Sequence, residues 1–142
     1  KIAVDFDGTI VDHEYPSMGR TKLFAFETLR ELQKKGHQLV LWTFRSGKEL
    51  EEAVEFCREN GVEFYAINAN YPEEVYEDGV ISRKINADYF IDDRNIGGFW
   101  GWHRYWRMIN GKEEILFRSE LPEDQRPRPA KKGFFARLFG AS

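Results

Sequence analysis

The sequence predicts a three-layer α/β fold, a mostly parallel central sheet flanked by helices. Three observations carry that expectation. Short apolar runs at 2–4, 38–43, 63–67 and 87–91 have the length and composition of buried strands. Stretches with apolar residues at helical spacing fall at 21–35, from Ser46 to Asn60, and at 98–110. The two kinds of segment alternate, which favours parallel strands joined by right-handed crossovers, with helices on both faces. The result is a Rossmann-like sheet with no internal repeat.

Ile2, Ala3 and Val4 are apolar on both faces, as a central parallel strand is. Asp5 and Asp7 follow at its end. Side chains alternate in extended chain, so these two acids project to one side while Phe6 turns to the other. Gly8 then permits a sharp turn, and residues 8–20, with Pro16 and Gly19, form a loop. In the helix predicted over 21–35, Leu23, Phe26, Leu29 and Leu32 share a face and Gly36 is the stop. The strand at 38–43 ends in Thr43. Ser46 and Glu49 have capping-box spacing and open a helix whose Leu50, Ala53, Val54 and Cys57 face the core; Asn60-Gly61 ends it. Cys57 is therefore read as a small core residue.

The third strand, 63–67, leads into a long connection at 68–82 containing Pro72 and Gly79. The fourth, 87–91, runs into Asp92-Asp93. The helix at 98–110 is rich in aromatic residues, and Trp100, Trp102, Tyr105 and Trp106 suit packing against the sheet or a partner subunit better than base stacking.

A chain of 142 residues, 42% hydrophobic and 32% charged, suits one globular domain with a substantial core. No apolar run approaches the roughly 20 residues a membrane span needs, and no signal-peptide pattern opens the sequence. A single cysteine excludes a disulfide framework and fits a reducing, cytoplasmic compartment. Residues 1–125 hold all 24 acidic residues and 16 of the 21 basic ones, a net charge of −8. Such a body is unsuited to general nucleic-acid binding. Arg126, Arg128, Lys131, Lys132 and Arg137 make the last stretch basic. The domain is placed at 1–118, and the Pro-rich basic tail at 119–142 is expected to pack on the domain or on a second copy of the chain.

In a parallel sheet the C-terminal strand ends share one edge, where open α/β folds keep their ligands. Asp5, Asp7, Thr43, Asp92 and Asp93 all sit at such ends, and Lys84 lies just before the fourth strand. Two carboxylates about 4 Å apart repel by roughly 4 kcal/mol at an effective dielectric near 20. One lysine cannot offset three or four of them, whereas a hard divalent cation with oxygen ligands can, which suits Mg²⁺. Such a cluster fits phosphoryl transfer. A calcium loop starting at Asp5 fails because positions 9–16 supply the wrong residues, with no Glu in the twelfth place. His13, His37 and His103 have no ligand spacing.

The order Asp5-Phe6-Asp7-Gly8-Thr9, a strand ending in Thr43, a basic residue at Lys84, and Ile91-Asp92-Asp93 resembles the phosphatases of the haloacid dehalogenase superfamily. The likeness covers about residues 1–95. It implies that Asp5 is the nucleophile that forms an aspartyl-phosphate, and a metal ligand. Asp7 would be general acid and then base, binding the metal through its backbone carbonyl. Thr43 and Lys84 would hold the phosphoryl group, with Arg83 a rival for the lysine's part. Asp93, or else Asp92, would complete a Mg²⁺ site.

That family usually carries a cap domain. Only 35 residues separate Asp7 from Thr43 and 40 separate Thr43 from Lys84, and the elements above fill both gaps. A capless member with an open site is expected, acting on a small phosphorylated substrate. Water exclusion and substrate choice must then come from loops, from a neighbouring subunit or from a large substrate that covers the site; Gly8, Arg45 and Asn68 are candidates, with His13, Glu14, Tyr15, Arg20 and Asn70 beside them. Two other readings exist. A phosphoacceptor receiver domain also clusters Asp, Thr and Lys, but its phosphorylated Asp ends the third strand, where this chain has Asn68. A catalytically idle binding module would be expected to have lost some of these positions, and none is lost.

Overall fold

A computed structural model describes residues 1–111. Positions 112–118 of the expected domain, and the basic tail at 119–142, lie outside the described residues. Four strands, β1 (Ile2–Val4), β2 (Leu39–Leu41), β3 (Ala66–Ile67) and β4 (Tyr89–Ile91), form one parallel sheet in the order β3-β2-β1-β4. Three helices accompany them: α1 (Ala25–Lys34), α2 (Gly47–Glu59) and α3 (Trp102–Ile109). This is the α/β, Rossmann-like architecture that the alternation predicts.

Strand parity sorts the side chains into two clusters. Ile2, Val4, Phe6, Leu39, Leu41 and Ile91 pack with Phe26, Leu29 and Leu32 of α1, Ala53 and Cys57 of α2, and Trp102 of α3. On the other face Ala3, Val40 and Ala66 meet Ile85, with Trp42, Ala69, Ala87 and Phe90 around them. All three described helices thus contribute to one cluster, and the connection after β3 covers the second face, where the alternation predicts helices as well; among the described residues that expectation is corrected to irregular chain. Ala3 and Ala66 are small, which lets irregular chain lie close against the strands there.

Register fixes the functional edge. Val4 pairs with Leu41 on one side and with Ile91 on the other, so three strands end abreast. One further ladder bond follows each end: the Asp5 N–H donates to Ile91, Trp42 to Val4, and Asn68 to Leu41. Asp5, Thr43, Asn68 and Asp92 therefore leave the sheet at a common rim.

The helices start or stop differently from the periodic pattern. Leu23, expected on the buried face of the first helix, precedes α1 and is 77% exposed. Its neighbours are held by chain pairing: Thr21 bridges Val11, the Lys22 N–H donates to Ile10, and Phe24 turns with φ 64°. Helix geometry cannot begin before Ala25. At the other end, Gly36 N–H bonds Gln33 and His37 N–H bonds Leu32, a Schellman stop at the expected glycine. Ser46 precedes α2 in extended conformation, but its side chain makes no capping hydrogen bond. The capping-box motif locates that helix start without performing its usual chemistry.

Cys57 is buried, and burial pushes its thiol up to about 12, as befits a core residue. Trp102 is buried, and Tyr105 and Trp106 pack against the same core. Among the described residues no helix is long and apolar enough to cross a membrane.

Candidate active site

The rim after β1, β2 and β4 encloses a cleft of about 500 Å³. Asp5 and Asp92 line it, and ligand-capable oxygens of Asp5, Asp92 and the adjoining Asp93 all lie within 4.8 Å of one another. Thr9, fully buried, organises them. Its hydroxyl donates to Asp5 Oδ2 (2.9 Å) and accepts from the Asp93 N–H (3.0 Å), while its carbonyl accepts from the Trp102 indole Nε1 (2.8 Å). A single side chain thus ties the β1 end to the β4 end, and α3 pins it from behind.

Gly8 has φ 86°, and a Cβ there would overlap Asp93 Oδ2. The position needs glycine twice over, for backbone conformation and for the close approach of the carboxylate. Its N–H donates to Val11. Gly8 therefore lets the Asp93 carboxylate lie close against the first loop.

The electrostatics follow from burial and like charge. The Asp5 carboxyl is pushed up to about 7, chiefly by burial, with the charges of Asp92 and Asp93 adding to it. Hydrogen bonds from the Phe6 backbone and the Thr9 hydroxyl act in the opposite sense. Asp93 Oδ1 is buried without a hydrogen-bond partner. An unpartnered carboxylate oxygen beside two more acids fits a hard divalent cation, which Asp5, Asp92 and Asp93 would hold.

This arrangement sets a pH dependence. The folded chain keeps on Asp5 a proton that the unfolded chain, near the ordinary 3.8, releases. Its stability contribution is present below about pH 4 and is lost as pH rises through about 7. In EDTA, the melting temperature of Asp5→Asn minus that of the wild type is therefore expected to grow from pH 5 to pH 8. Mg²⁺ should raise the wild-type melting temperature more at pH 8 than at pH 5. Scanning calorimetry at both pH values checks this, and equal Mg²⁺ shifts would contradict it.

Asp7 lines the same cleft, but its carboxylate is not part of the acid group. Arg45 holds it in a bidentate pair, with Nε to Oδ2 and Nη2 to Oδ1 both at 2.7 Å. Arg45 was expected to be a rim cation for substrate. It is instead 1% exposed, and its remaining donors go to the carbonyls of Pro16 (3.2 Å) and Ser17 (2.7 Å). Rings of Phe6 and Tyr15 lie 5.0 and 5.3 Å from the guanidinium. A guanidinium so engaged ties the first loop to the end of β2 and offers nothing to a ligand.

Thr43 lines the cleft as expected, with its hydroxyl accepting the Arg45 N–H (3.1 Å). Asn68 supports it, accepting the Thr43 N–H on Oδ1 (2.8 Å). The asparagine thus positions Thr43, and it is not among the residues lining the cleft.

In the searches against known proteins, one solved structure is informative. The chain is similar to a conserved protein coded by a locus of Bacteroides thetaiotaomicron: 52% identity, covering 81% of this chain and 93% of that one, with a TM-score of 0.74. The chain belongs to the family of that protein. No protein-family model matches the chain, and no curated protein does.

The basic residues that the sequence resemblance places at the cleft do not gather there. Lys84 is exposed, with its ammonium 5.5 Å from the centroid of the Phe90 ring, and it is not among the residues lining the cleft. Arg83 is exposed as well, over the Tyr76 ring at 4.7 Å and 3.9 Å from Asp78. Both belong to the connection that covers the second sheet face, and a position in sequence just before a strand does not fix which way such a chain turns. The cleft's cation is Arg94, which follows the acidic pair, and its Nη2 lies 3.3 Å from His13 Nε2. Arg94 was missed. Its signal was present, a fixed cation one residue past Asp93 at the rim.

Proposed function

We propose that the chain is a phosphohydrolase of the haloacid dehalogenase type, a capless Mg²⁺-dependent phosphatase that cleaves phosphomonoesters through an aspartyl-phosphate on Asp5. The observation that supports it is the half-buried acid group at the C-terminal edge of a parallel sheet, Asp5 with Asp92 and Asp93, whose Asp93 oxygen lacks a partner. A cation bound there would neutralise the acids and draw charge from the phosphoryl oxygens.

The chain's own residues account for the rest. Thr9 holds Asp5 by one oxygen, which fixes the carboxylate for attack on phosphorus. As the new bond to Asp5 forms, the bond from phosphorus to the ester oxygen breaks, and that oxygen takes a proton from Asp7. Water then adds to the phosphorus of the aspartyl-phosphate. This returns the Asp5 carboxylate and inorganic phosphate, with Asp7 accepting the proton. Because Arg45 occupies both Asp7 oxygens, Asp7 has to release at least one of those bonds before it donates. Thr43 and Arg94 are the donors at hand for the phosphoryl oxygens. With one cysteine in the sequence, a reducing compartment, the cytoplasm, is the one we assign.

Phosphate release measured over a broad phosphomonoester library, with Mg²⁺ and with EDTA, tests the reading. Release is expected with Mg²⁺ alone. Release that EDTA leaves undiminished for every substrate would rule it out.

A further inference from the structure

Phe44 stands directly after Thr43 at the mouth of the cleft and leaves 90% of its surface uncovered. It meets Tyr15 edge-on, with centroids 6.2 Å apart and planes at 74°. Tyr15 is 42% exposed and is backed by the Arg45 guanidinium, itself fixed by Asp7. Trp42, half-buried against the second sheet face, lines the same cleft. Single exposed apolar residues are ordinary on any protein. Three aromatic rings line one cleft together with His13, Arg94 and the acids Asp5, Asp7 and Asp92, and the two exposed ones, Phe44 and Tyr15, meet in an apolar surface of the kind that marks a binding groove.

We propose that the cleft selects phosphomonoesters whose leaving group carries a flat aromatic ring, the chemistry shared by nucleoside monophosphates and aryl phosphates. The ring would lie against Phe44 and Tyr15 while the phosphate reaches Asp5. This rests on the phosphatase reading. The aromatic residues offer ring carbon, with the Tyr15 hydroxyl and the Trp42 indole N–H as their only side-chain polar groups. A polyhydroxylated leaving group would leave several hydroxyls unpaired against such a wall, whereas an aromatic face needs no polar partner. An aromatic wall recognises π-faces irrespective of sequence or substituent, so both sources satisfy it.

The test is steady-state phosphate release by the full chain with Mg²⁺ on two panels. One holds AMP, GMP, CMP, UMP, phenyl phosphate and phosphotyrosine; the other holds glucose 6-phosphate, glycerol 3-phosphate and phosphoserine. Phe44→Ala is expected to raise KM for the first panel about tenfold, as loss of one stacking platform does, with kcat nearly unchanged. The second panel should be unaffected, and Phe44→Trp should restore the aromatic preference. The nucleotide and aryl arms then separate the two sources by kcat/KM. An equal effect of Phe44→Ala on both panels, or a wild-type preference for the second, overturns the proposal. If no substrate releases phosphate, the phosphatase reading falls instead, and calorimetric binding of AMP and phenyl phosphate against glucose 6-phosphate decides. Selective aromatic binding that Phe44→Ala weakens sustains the proposal, and binding without that selectivity overturns it.

Discussion

Asp5→Asn is expected to abolish phosphate release, by roughly 10³-fold or more, because an amide cannot form the acyl-phosphate on which both half-reactions depend. The substitution is nearly isosteric and keeps an oxygen for the Thr9 hydroxyl, which lies 2.9 Å from Asp5 Oδ2. It also removes one of three acids whose oxygens lie within 4.8 Å of one another. In EDTA at pH 8 the inactive variant should therefore melt above the wild type, since removing one like charge relieves repulsion. Loss of activity with a gain in metal-free stability distinguishes a poised functional site from a structural ion cluster. A variant that melts below the wild type under those conditions would speak against the electrostatics described.

The second large effect falls on the fold. Arg45→Met should destabilise the protein by about 3–5 kcal/mol, the usual result of removing one partner of a buried ion pair. Two bonds to Asp7 would be lost at once, and the carbonyls of Pro16 and Ser17 would lose their donor. Arg45→Lys should recover little, because an ammonium cannot grip both carboxylate oxygens in the plane of a fork. Asp7→Asn added to Arg45→Met should restore part of the loss, giving a favourable coupling in a double-mutant cycle. Urea unfolding of the four proteins measures it, and strictly additive losses would show that the pair does not hold the first loop.

How far the sequence was legible depends on the range of the interaction involved. Strand positions and the shared rim follow from local pattern. Apolar runs such as Leu39–Leu41 mark buried strands, and parallel topology then brings Asp5, Thr43 and Asp92 to one edge. Glycine stops were legible too, because Gly36 acts through its own backbone. Contacts across long stretches of chain were not. Nothing near Arg45 announces that Asp7, 38 residues earlier, will take both arms of its guanidinium. Nor does the aromatic helix announce that Trp102 will bond the carbonyl of Thr9 across 93 residues. Leu23 shows the converse, a residue whose spacing suits a helix but whose neighbours are committed to bridging Val11 and Ile10. Lys84 failed for a related reason. Its connection wraps the sheet face that holds Ala3 and Val40, and no local rule orients a side chain along irregular backbone.

Asp5 is the proposed carrier of the phosphoryl group. Borohydride reduces an acyl-phosphate to the alcohol, so quenching the protein during incubation with Mg²⁺ and the phosphomonoester it cleaves fastest, then mapping the peptides by mass spectrometry, reads the acceptor directly. The account predicts homoserine at position 5, dependent on Mg²⁺ and on substrate. Turnover with unmodified Asp5, or reduction at another carboxylate such as Asp92 or Asp93, would contradict it.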